Sequence, residues 1–329
     1  MHASEFWEGR SVGSFLARCA LAPFSLLYAI GWECYLLVYR LGMKRAAHPH
    51  APILCVGNLV SGGSGKTPVV VHLVTVLREM GYAVTVSSSG YGSPRAEAAT
   101  VAPEGPLVAS EWGDEASLFR WKHPDLSLIV GRRRVLAAQL CYQSFSDSIL
   151  LMDDGFQHLP LKKDLSIILD PEKPRNRMCL PAGPYREPRW NRKRADLTIP
   201  GRFRIEERTQ VVSHKGEEVA NPSECALLCA LGQPQKVIDA LEAKGIRIRH
   251  KTLLPDHDPL TRGTLVQDLP PNLPVVVTAK DWVKLRQRSD VGDREFLILN
   301  HEAQVEPKAE FSAWLKSELD AIQKANHSR

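Results

Sequence analysis

The chain has no Cys-x-x-Cys spacing, and its seven cysteines (Cys19, Cys34, Cys55, Cys141, Cys179, Cys225 and Cys229) are odd in number. Most sit inside apolar runs such as Ile53-Leu54-Cys55-Val56, so they read as reduced core residues of a cytosolic protein, and neither a disulfide framework nor a structural zinc site is indicated. A long charge-free apolar run is also missing. Between Phe15 and Leu41 the chain is strongly apolar but is interrupted by Arg18, Glu33 and Arg40, and Cys19–Trp32, at 14 residues, is too short to span a bilayer comfortably. Glu5 and Glu8 argue against a signal peptide. No internal repeat or low-complexity tract is present, which excludes repeat arrays. A net charge of +5 over 329 residues is mild, and it gives no reason to expect a nucleic-acid partner.

What remains is a globular composition, 44% apolar and 24% charged, long enough for two domains. Positive charge is concentrated: residues 173–208 hold 11 Lys and Arg against four acids, which points to an anionic partner or surface. The apolar segment around 11–41 reads either as a buried helical hairpin or as an interfacial anchor, with Trp7, Trp32, Tyr35, Tyr39, Lys44 and Arg45 suited to a headgroup boundary. On residue physics alone, burial is the stronger reading.

From Ile53 onward, short β-branched runs at 82–86, 126–130, 148–152 and 165–169 alternate with helical patterns near 67–80, 114–122 and 132–143. Such alternation predicts an α/β fold, a P-loop NTPase-like parallel sheet with helices on both faces. Residues 171–194, rich in Pro, Arg and Asn, read as a long functional loop. Alternation over 202–212 suggests a ribbon, and Asn221-Pro222-Ser223 marks a break. A second unit follows, with strands at 226–231, 275–278 and 296–299, a helix at 234–244 and a closing helix at 305–322. The expected division is 1–45 as an apolar membrane-associated segment of the first domain, 46–200 as the P-loop core, 201–222 as a β-ribbon linker and 223–329 as a smaller C-terminal α/β domain.

The apolar run Ile53–Val56 enters the loop Val60-Ser61-Gly62-Gly63-Ser64-Gly65-Lys66-Thr67, which opens onto a helical pattern. Strand, glycine-rich loop and helix in this order suit a phosphate cradle: backbone amides and the helix N-terminus face the phosphate oxygens, while Lys66 and Thr67 reach the terminal phosphates and Mg²⁺. Export would separate such a loop from ATP. One residue departs from the standard spacing, Val60 standing where a glycine is usual. The run Ile149–Met152 ends in Asp153-Asp154, placed to hold Mg²⁺ or its waters rather than merely to start a turn. Asp114, in Gly113-Asp114-Glu115 before a helical pattern, is either a helix-start acid or the base for an attacking hydroxyl. His257, between Asp256 and Asp258, is either an exposed loop histidine or a partner that raises the basicity of an aspartate.

Together these motifs resemble the tetraacyldisaccharide 4′-kinases of lipid A biosynthesis. The matching pieces are Val56-Gly57-Asn58-Leu59 with Gly62–Pro68, Ser88–Gly92, Gly113-Asp114-Glu115, and Asp153-Asp154-Gly155-Phe156-Gln157-His158. Leu180–Pro188, Arg194-Ala195-Asp196, Pro255-Asp256-His257 and Thr278–Lys284 follow in the family's order. The family's own loop lacks the first glycine, so Val60 fits it. The resemblance implies transfer of the ATP γ-phosphate to the 4′-hydroxyl of an acylated glucosamine disaccharide 1-phosphate at the cytoplasmic face of the bacterial inner membrane. It implies Lys66 and Thr67 on phosphates and Mg²⁺, Asp153, Asp154 and Glu115 in the metal network, Asp114 with His257 as base, and Gln157, His158 and Arg186 toward substrate. It also turns residues 11–41 into an interfacial element, with Lys44, Arg45, Arg186, Arg189 and Arg192 facing anionic lipid or the substrate phosphate; no obligate protein partner is implied. Ser89, Asp258 and Ala279 depart from the family's usual arginine, histidine and glutamate, and Arg95 is a local substitute for the missing arginine. The alternative, a membrane-associated ATPase switch, carries a signature lysine where this chain has Ser61.

Overall fold

The computed structural model describes residues 3–49, 51–62, 65–292 and 294–327. In chain order the helices are α1 (Ala3–Glu8), α2 (Val12–Arg40), α3 (Lys66–Glu79), α4 (Ala109–Trp112), α5 (Asp114–Lys122), α6 (Arg134–Ser144), α7 (Pro234–Ala243), α8 (Ala279–Leu285) and α9 (Lys308–His327). The strands are β1 (Ile53–Asn58), β2 (Ala83–Ser88), β3 (Thr100–Val101), β4 (Ser127–Val130), β5 (Ser148–Asp153), β6 (Leu165–Leu169) and β7 (Leu197–Ile199), then β8 (Arg204–Ser213), β9 (Glu224–Cys229), β10 (Arg247–Leu253), β11 (Val275–Thr278) and β12 (Phe296–Glu306). Two compact units interleave along the chain: Met1–Ser87, Arg133–Glu206 and Gln304–Arg329 form the first, Ser88–Arg132 and Glu207–Ala303 the second.

In the first unit the strands run in the order β2-β5-β1-β6-β7, each pair parallel. Every residue of β1 and β5 is buried. A parallel strand covered on both faces reads as a continuous apolar run, which is why neither segment alternates in sequence. Val56 lies opposite Asp153, so the acidic pair emerges at the carboxyl end of the sheet beside the loop that leaves β1. Because β1 leads to β2 on one side and borders β6 on the other, this end is a topological switch point, where open α/β sheets bind ligands.

The second unit holds the sheet β10-β9-β11-β12-β8 and an antiparallel β3-β4 pair. Its strands feed two cores by strict alternation. Leu228, Val275, Val277, Phe296 and Ile298 pack with Trp282 and Leu285 of α8. Leu227, Cys229, Val276, Leu297 and Leu299 pack with Val237, Ile238 and Leu241 of α7. Period-2 side chains with helices on both faces explain the continuous apolar runs 226–229, 275–277 and 296–299. The α/β architecture expected from the alternation is therefore the one that forms.

Two expectations are corrected. The closing helix starts at Lys308, not Val305, because β12 continues to Glu306; Pro307 has no N–H to donate, and its ring keeps the preceding residue extended. The apolar N-terminal segment is neither hairpin nor core element. It is one 29-residue helix containing Pro23, with only Ser25 and Leu36 buried. Phe15, Leu16, Phe24, Leu26, Leu27, Ile30 and Leu37 remain exposed. Its narrow polar side docks instead: Ser25 Oγ donates to Cys179 O (2.6 Å), Tyr28 Oη to Arg186 O (2.7 Å), and Glu33 Oε1 accepts from Trp190 Nε1 and Asn191 Nδ2 (both 2.9 Å).

Candidate active site

The loop after β1 is held from behind. Val60 bridges Tyr185 in antiparallel fashion, Ser61 N donates to Pro184 O (2.7 Å) and Arg186 N to Leu59 O (2.7 Å). Val60 thus sits in extended backbone that a β-branched residue favours, which is the physical reason no glycine is needed there. Gly65 caps α3 at φ 73°, a left-handed conformation that costs glycine nothing. Among the described residues no side chain caps the first turn of α3, so its amides and the positive end of its dipole face outward, as anion binding requires. Gly62 (φ 110°) and Thr67, within the first turn of α3, complete the described part of the cradle; the expected phosphate-loop residues Gly63 and Ser64 lie outside the described residues.

Lys66 and the acidic pair converge within the first unit. Lys66 Nζ lies 3.4 Å from Asp154 Oδ2, and Arg186 Nη1 donates to both Asp154 oxygens at 2.9 and 3.0 Å. Burial alone raises the Asp154 carboxyl pKa, but Lys66 and Arg186 outweigh it and hold the group below the usual carboxylate range. Asp153 is buried in its strand. Sequence reasoning missed Arg134, the first residue of α6. It is 4% exposed and donates to Ser87 O and Oγ (3.1 and 3.0 Å) and to Asp153 O (2.5 Å), tying β2 to the end of β5. In sequence it is one of a run of basic residues, Arg132-Arg133-Arg134, which resembles a solvated turn.

Gln157 donates to Asn58 O (2.8 Å) and Glu187 Oε1 (3.0 Å), and Arg194 Nη2 closes the network on Glu187 Oε2 (2.5 Å). The wholly buried Glu187 has its pKa raised by burial despite Arg194 and Gln157. The Gln157 amide thus binds the phosphate-loop strand to the 180–188 segment. Burial, with Lys163 and Arg134 nearby, lowers the His158 pKa from 6.5 to about 4. The folded imidazole stays neutral while the unfolded one takes up a proton, so the stability linked to His158 is complete above 6.5 and falls as pH drops toward about 4. His158→Gln should flatten the dependence of the urea midpoint on pH across that window; an unchanged slope would contradict the burial argument.

The second unit carries its own cluster. Asp114 opens α5 after Gly113, and its Oδ2 lies 3.3 Å from His257 Nδ1 and 3.4 Å from Lys284 Nζ. Tyr91 packs on the His257 ring at 5.3 Å. Glu115 accepts a 3.5 Å hydrogen bond from Ser88 Oγ. The expected increase in aspartate basicity is reversed: burial raises the Asp114 pKa, but the hydrogen bond with His257 and the ammoniums of Lys284 and Lys280 bring it below the ordinary range. Asp114 is therefore ionised across the neutral range.

Lys284 is the second residue that sequence reasoning missed as a site residue. Its side chain is 5% exposed, and it also lies 3.8 Å from Asp281 Oδ1 and donates to Asp258 O at 2.9 Å. Asp281, wholly buried, accepts from Thr278 Oγ1 (2.7 Å) and Ala230 N (3.3 Å); burial raises its pKa against the pull of Thr278 and Lys284. Its signal was the spacing Asp281-x-x-Lys284, one helical turn. Lys284→Met should destabilise the protein by about 3–5 kcal/mol by leaving buried carboxylates uncompensated. Asp281→Asn in the same background should restore part of it, as read from denaturant midpoints; equal losses in single and double variants would refute the pairing.

The departures from the family pattern have local structural uses. Asp258 Oδ1 accepts from Leu260 N (2.8 Å), fixing the turn beside His257. Ala279 opens α8 and packs against the core. Arg95 stacks over Trp112 at 4.4 Å and lies 3.6 Å from Glu111.

Within the first unit, Thr67 carries a hydroxyl and Asp153 and Asp154 carry carboxylates at the carboxyl end of the sheet; Glu115 belongs to the second unit. Among the described residues, no group of three or more His, Cys, Asp or Glu could hold a metal ion. A small set of hard oxygen donors fits Mg²⁺, which is commonly held by one or two carboxylates, with substrate phosphates and water completing the shell.

The family model LpxK, Tetraacyldisaccharide-1-P 4'-kinase, matches residues 17–320. The Tetraacyldisaccharide 4'-kinase of Verminephrobacter eiseniae (strain EF01-2) is 34% identical over 305 residues, covering 86% of this chain and 68% of that protein. The same-named protein of Shewanella halifaxensis (strain HAW-EB4) is 33% identical over 284 residues, 82% and 85% of the respective chains. A crystal structure of the "apo" form of LpxK from Aquifex aeolicus in complex with ATP superposes with a TM-score of 0.80 at 26% identity, covering 92% of this chain and 99% of that one. With the family model spanning nearly the whole chain, the protein belongs to the tetraacyldisaccharide-1-P 4'-kinase family.

Proposed function

We propose that this chain transfers the γ-phosphate of ATP to the 4′-hydroxyl of a tetraacyl glucosamine disaccharide 1-phosphate, giving the 4′-phosphorylated lipid A precursor (lipid IVA). The amides after β1 and at the start of α3, with Lys66, bind the nucleotide phosphates. Thr67, Asp153 and Asp154 would hold Mg²⁺, which when bound neutralises charge on the transferring phosphoryl group. Asp114 accepts the proton of the attacking hydroxyl, and His257 orients its carboxylate. Arg186, joined to Asp154, supplies positive charge toward the substrate, while Gln157 and His158 shape the loop that carries the acidic pair.

The observation that carries this reading is the geometry at Asp114. Among the described residues its partners His257 and Lys284 both lie on Oδ2, which leaves Oδ1 as an acceptor in a carboxylate that stays ionised. A hydroxyl nucleophile requires such an acceptor, at hydrogen-bond reach of its proton. With ATP labelled at the γ-phosphate, label should enter the lipid only when the acceptor has a free 4′-hydroxyl. Transfer to a 4′-deoxy acceptor would move the reaction to another hydroxyl, and hydrolysis without transfer would favour the ATPase switch.

We further propose that the protein works at a membrane surface, the cytoplasmic face of the inner membrane where ATP is present, and the exposed apolar face of α2 supports this reading. An 18-residue stretch of the helix has a mean hydropathy of 1.5 and is 11% buried, while its polar side is hydrogen-bonded to the 179–191 segment. A helix held by one side with an apolar opposite side lies in the interface rather than crossing it.

A further inference from the structure

Where α2 ends, the first unit carries an open surface cavity of about 520 Å³ whose walls include Tyr39, Lys44, Arg45, Leu161, Lys162 and Lys163. The lining has four basic residues and no carboxylate. Its two walls are fastened together: Ala47 bridges Leu161 in parallel, Ala47 N donates to Pro160 O (2.7 Å), and Lys162 N donates to Ala47 O (2.8 Å). The neighbouring acid, Asp164, is already bound to His48 Nε2 (2.8 Å) and Ile53 N (2.9 Å). Lys163 donates to Phe156 O and His158 O (3.3 and 2.9 Å). Among the described residues Lys44, Arg45 and Lys162 form no ion pair with a carboxylate. Clustered like charges repel one another, and a surface that keeps them together without acids is suited to an anion.

Next to this cavity the apolar surface of α2 continues through Leu41 (65% exposed) and Met43 (73% exposed). An occupant that satisfies both features has acyl chains and an anionic head. We infer that this cavity is a docking site for the phosphodiester headgroup of an anionic membrane phospholipid, separate from the nucleotide cradle. Lys44, Arg45 and Lys162 bind the phosphate oxygens, and Leu41 and Met43 enter the acyl boundary. Juxtamembrane cations of this kind contribute mainly on anionic bilayers and lose strength within a Debye length.

The inference rests on α2 lying at a membrane, and vesicle co-sedimentation separates the two. Binding of wild-type protein to phosphatidylcholine vesicles reports α2, and the gain when phosphatidylglycerol is added reports the cavity. In the variant Lys44→Gln/Arg45→Gln/Lys162→Gln, that gain should fall by about fivefold per removed cation, roughly a hundredfold in all, with phosphatidylcholine binding and ATP affinity retained. A control with the same charge change, Lys236→Gln/Lys244→Gln/Lys251→Gln, should keep most of the gain. Equal losses in the two variants would overturn the inference in favour of general attraction. Displacement of wild-type protein from the vesicles by millimolar inorganic phosphate would overturn the lipid assignment. An unchanged gain joined to a raised KM for the disaccharide lipid would reassign the cavity to the substrate. Loss of wild-type binding to phosphatidylcholine alone would instead refute the interfacial placement of α2.

Discussion

Replacing Asp114 by alanine lowers phosphoryl transfer by about 10²- to 10⁴-fold, the range expected when a positioned general base is lost, while ATP affinity stays within a few-fold. The reason lies in the geometry. Asp114 is fixed at the start of α5 with His257 and Lys284 on a single oxygen, and it belongs to a different compact unit from Lys66. Asp114→Ala leaves Lys66 and its contact with Asp154 in place, so nucleotide affinity is expected to change little. Asp114→Asn keeps the shape and loses the proton acceptor, so it should fall nearly as far as alanine. His257→Ala should cost less, because the imidazole orients the carboxylate without receiving the proton. Steady-state turnover with the acceptor lipid, beside a nucleotide titration, reads both quantities. Near-normal turnover in Asp114→Asn would remove the base assignment.

The second large effect is at Lys66. Lys66→Ala should reduce ATP use by about 10²- to 10³-fold, comparable to removing one preorganised donor from a developing oxyanion, and should do so whatever acceptor is supplied. Lys66 opens α3, and its ammonium lies 3.4 Å from Asp154 Oδ2. Its loss both removes a phosphate contact and releases part of the charge balance that keeps Asp154 ionised. The two variants fail differently: Asp114→Ala should bind nucleotide and not transfer, whereas Lys66→Ala should be impaired in every reaction that consumes ATP. Unaltered nucleotide dependence in Lys66→Ala would refute the phosphate-cradle reading of the loop.

The legible parts of the fold were those set by short-range pattern. The apolar run of β1, the glycines after it and the helical spacing of α3 place a phosphate loop by local rules alone, and the carboxyl-end position of Asp153-Asp154 follows from the length of the β5 run. Long-range features were not legible. Arg134 reads as one of a basic run, and only the meeting of β2 and β5 gives its guanidinium four oxygens and buries it. Lys284 becomes part of the Asp114 cluster only when α5 and α8 pack together, which the spacing within either helix cannot reveal. The hydrogen bond with His257, with the pull of Lys284 and Lys280, also reversed the expected direction of the Asp114 pKa, because such effects depend on distance rather than on sequence separation.

The apolar N-terminal segment shows the same limit from the other direction. Hydropathy measured how apolar residues 11–41 are but not which side is covered. The covering is decided by four polar side chains, Ser25, Tyr28, Glu33 and their neighbour Trp7, whose partners lie more than 150 residues away. Val60 is the complementary case, where a residue outside the usual spacing is explained by its bridge to Tyr185.

The central claim is that this chain phosphorylates a lipid hydroxyl with ATP. Incubating the purified full chain with ATP, Mg²⁺ and a tetraacyl disaccharide 1-phosphate in detergent micelles, and identifying the lipid product by mass and by phosphorus–proton correlation, tests it most directly. The account predicts a bisphosphorylated lipid whose new phosphate couples to the 4′ proton, formed with one ADP per lipid; release of ADP with the lipid left as the monophosphate would contradict it.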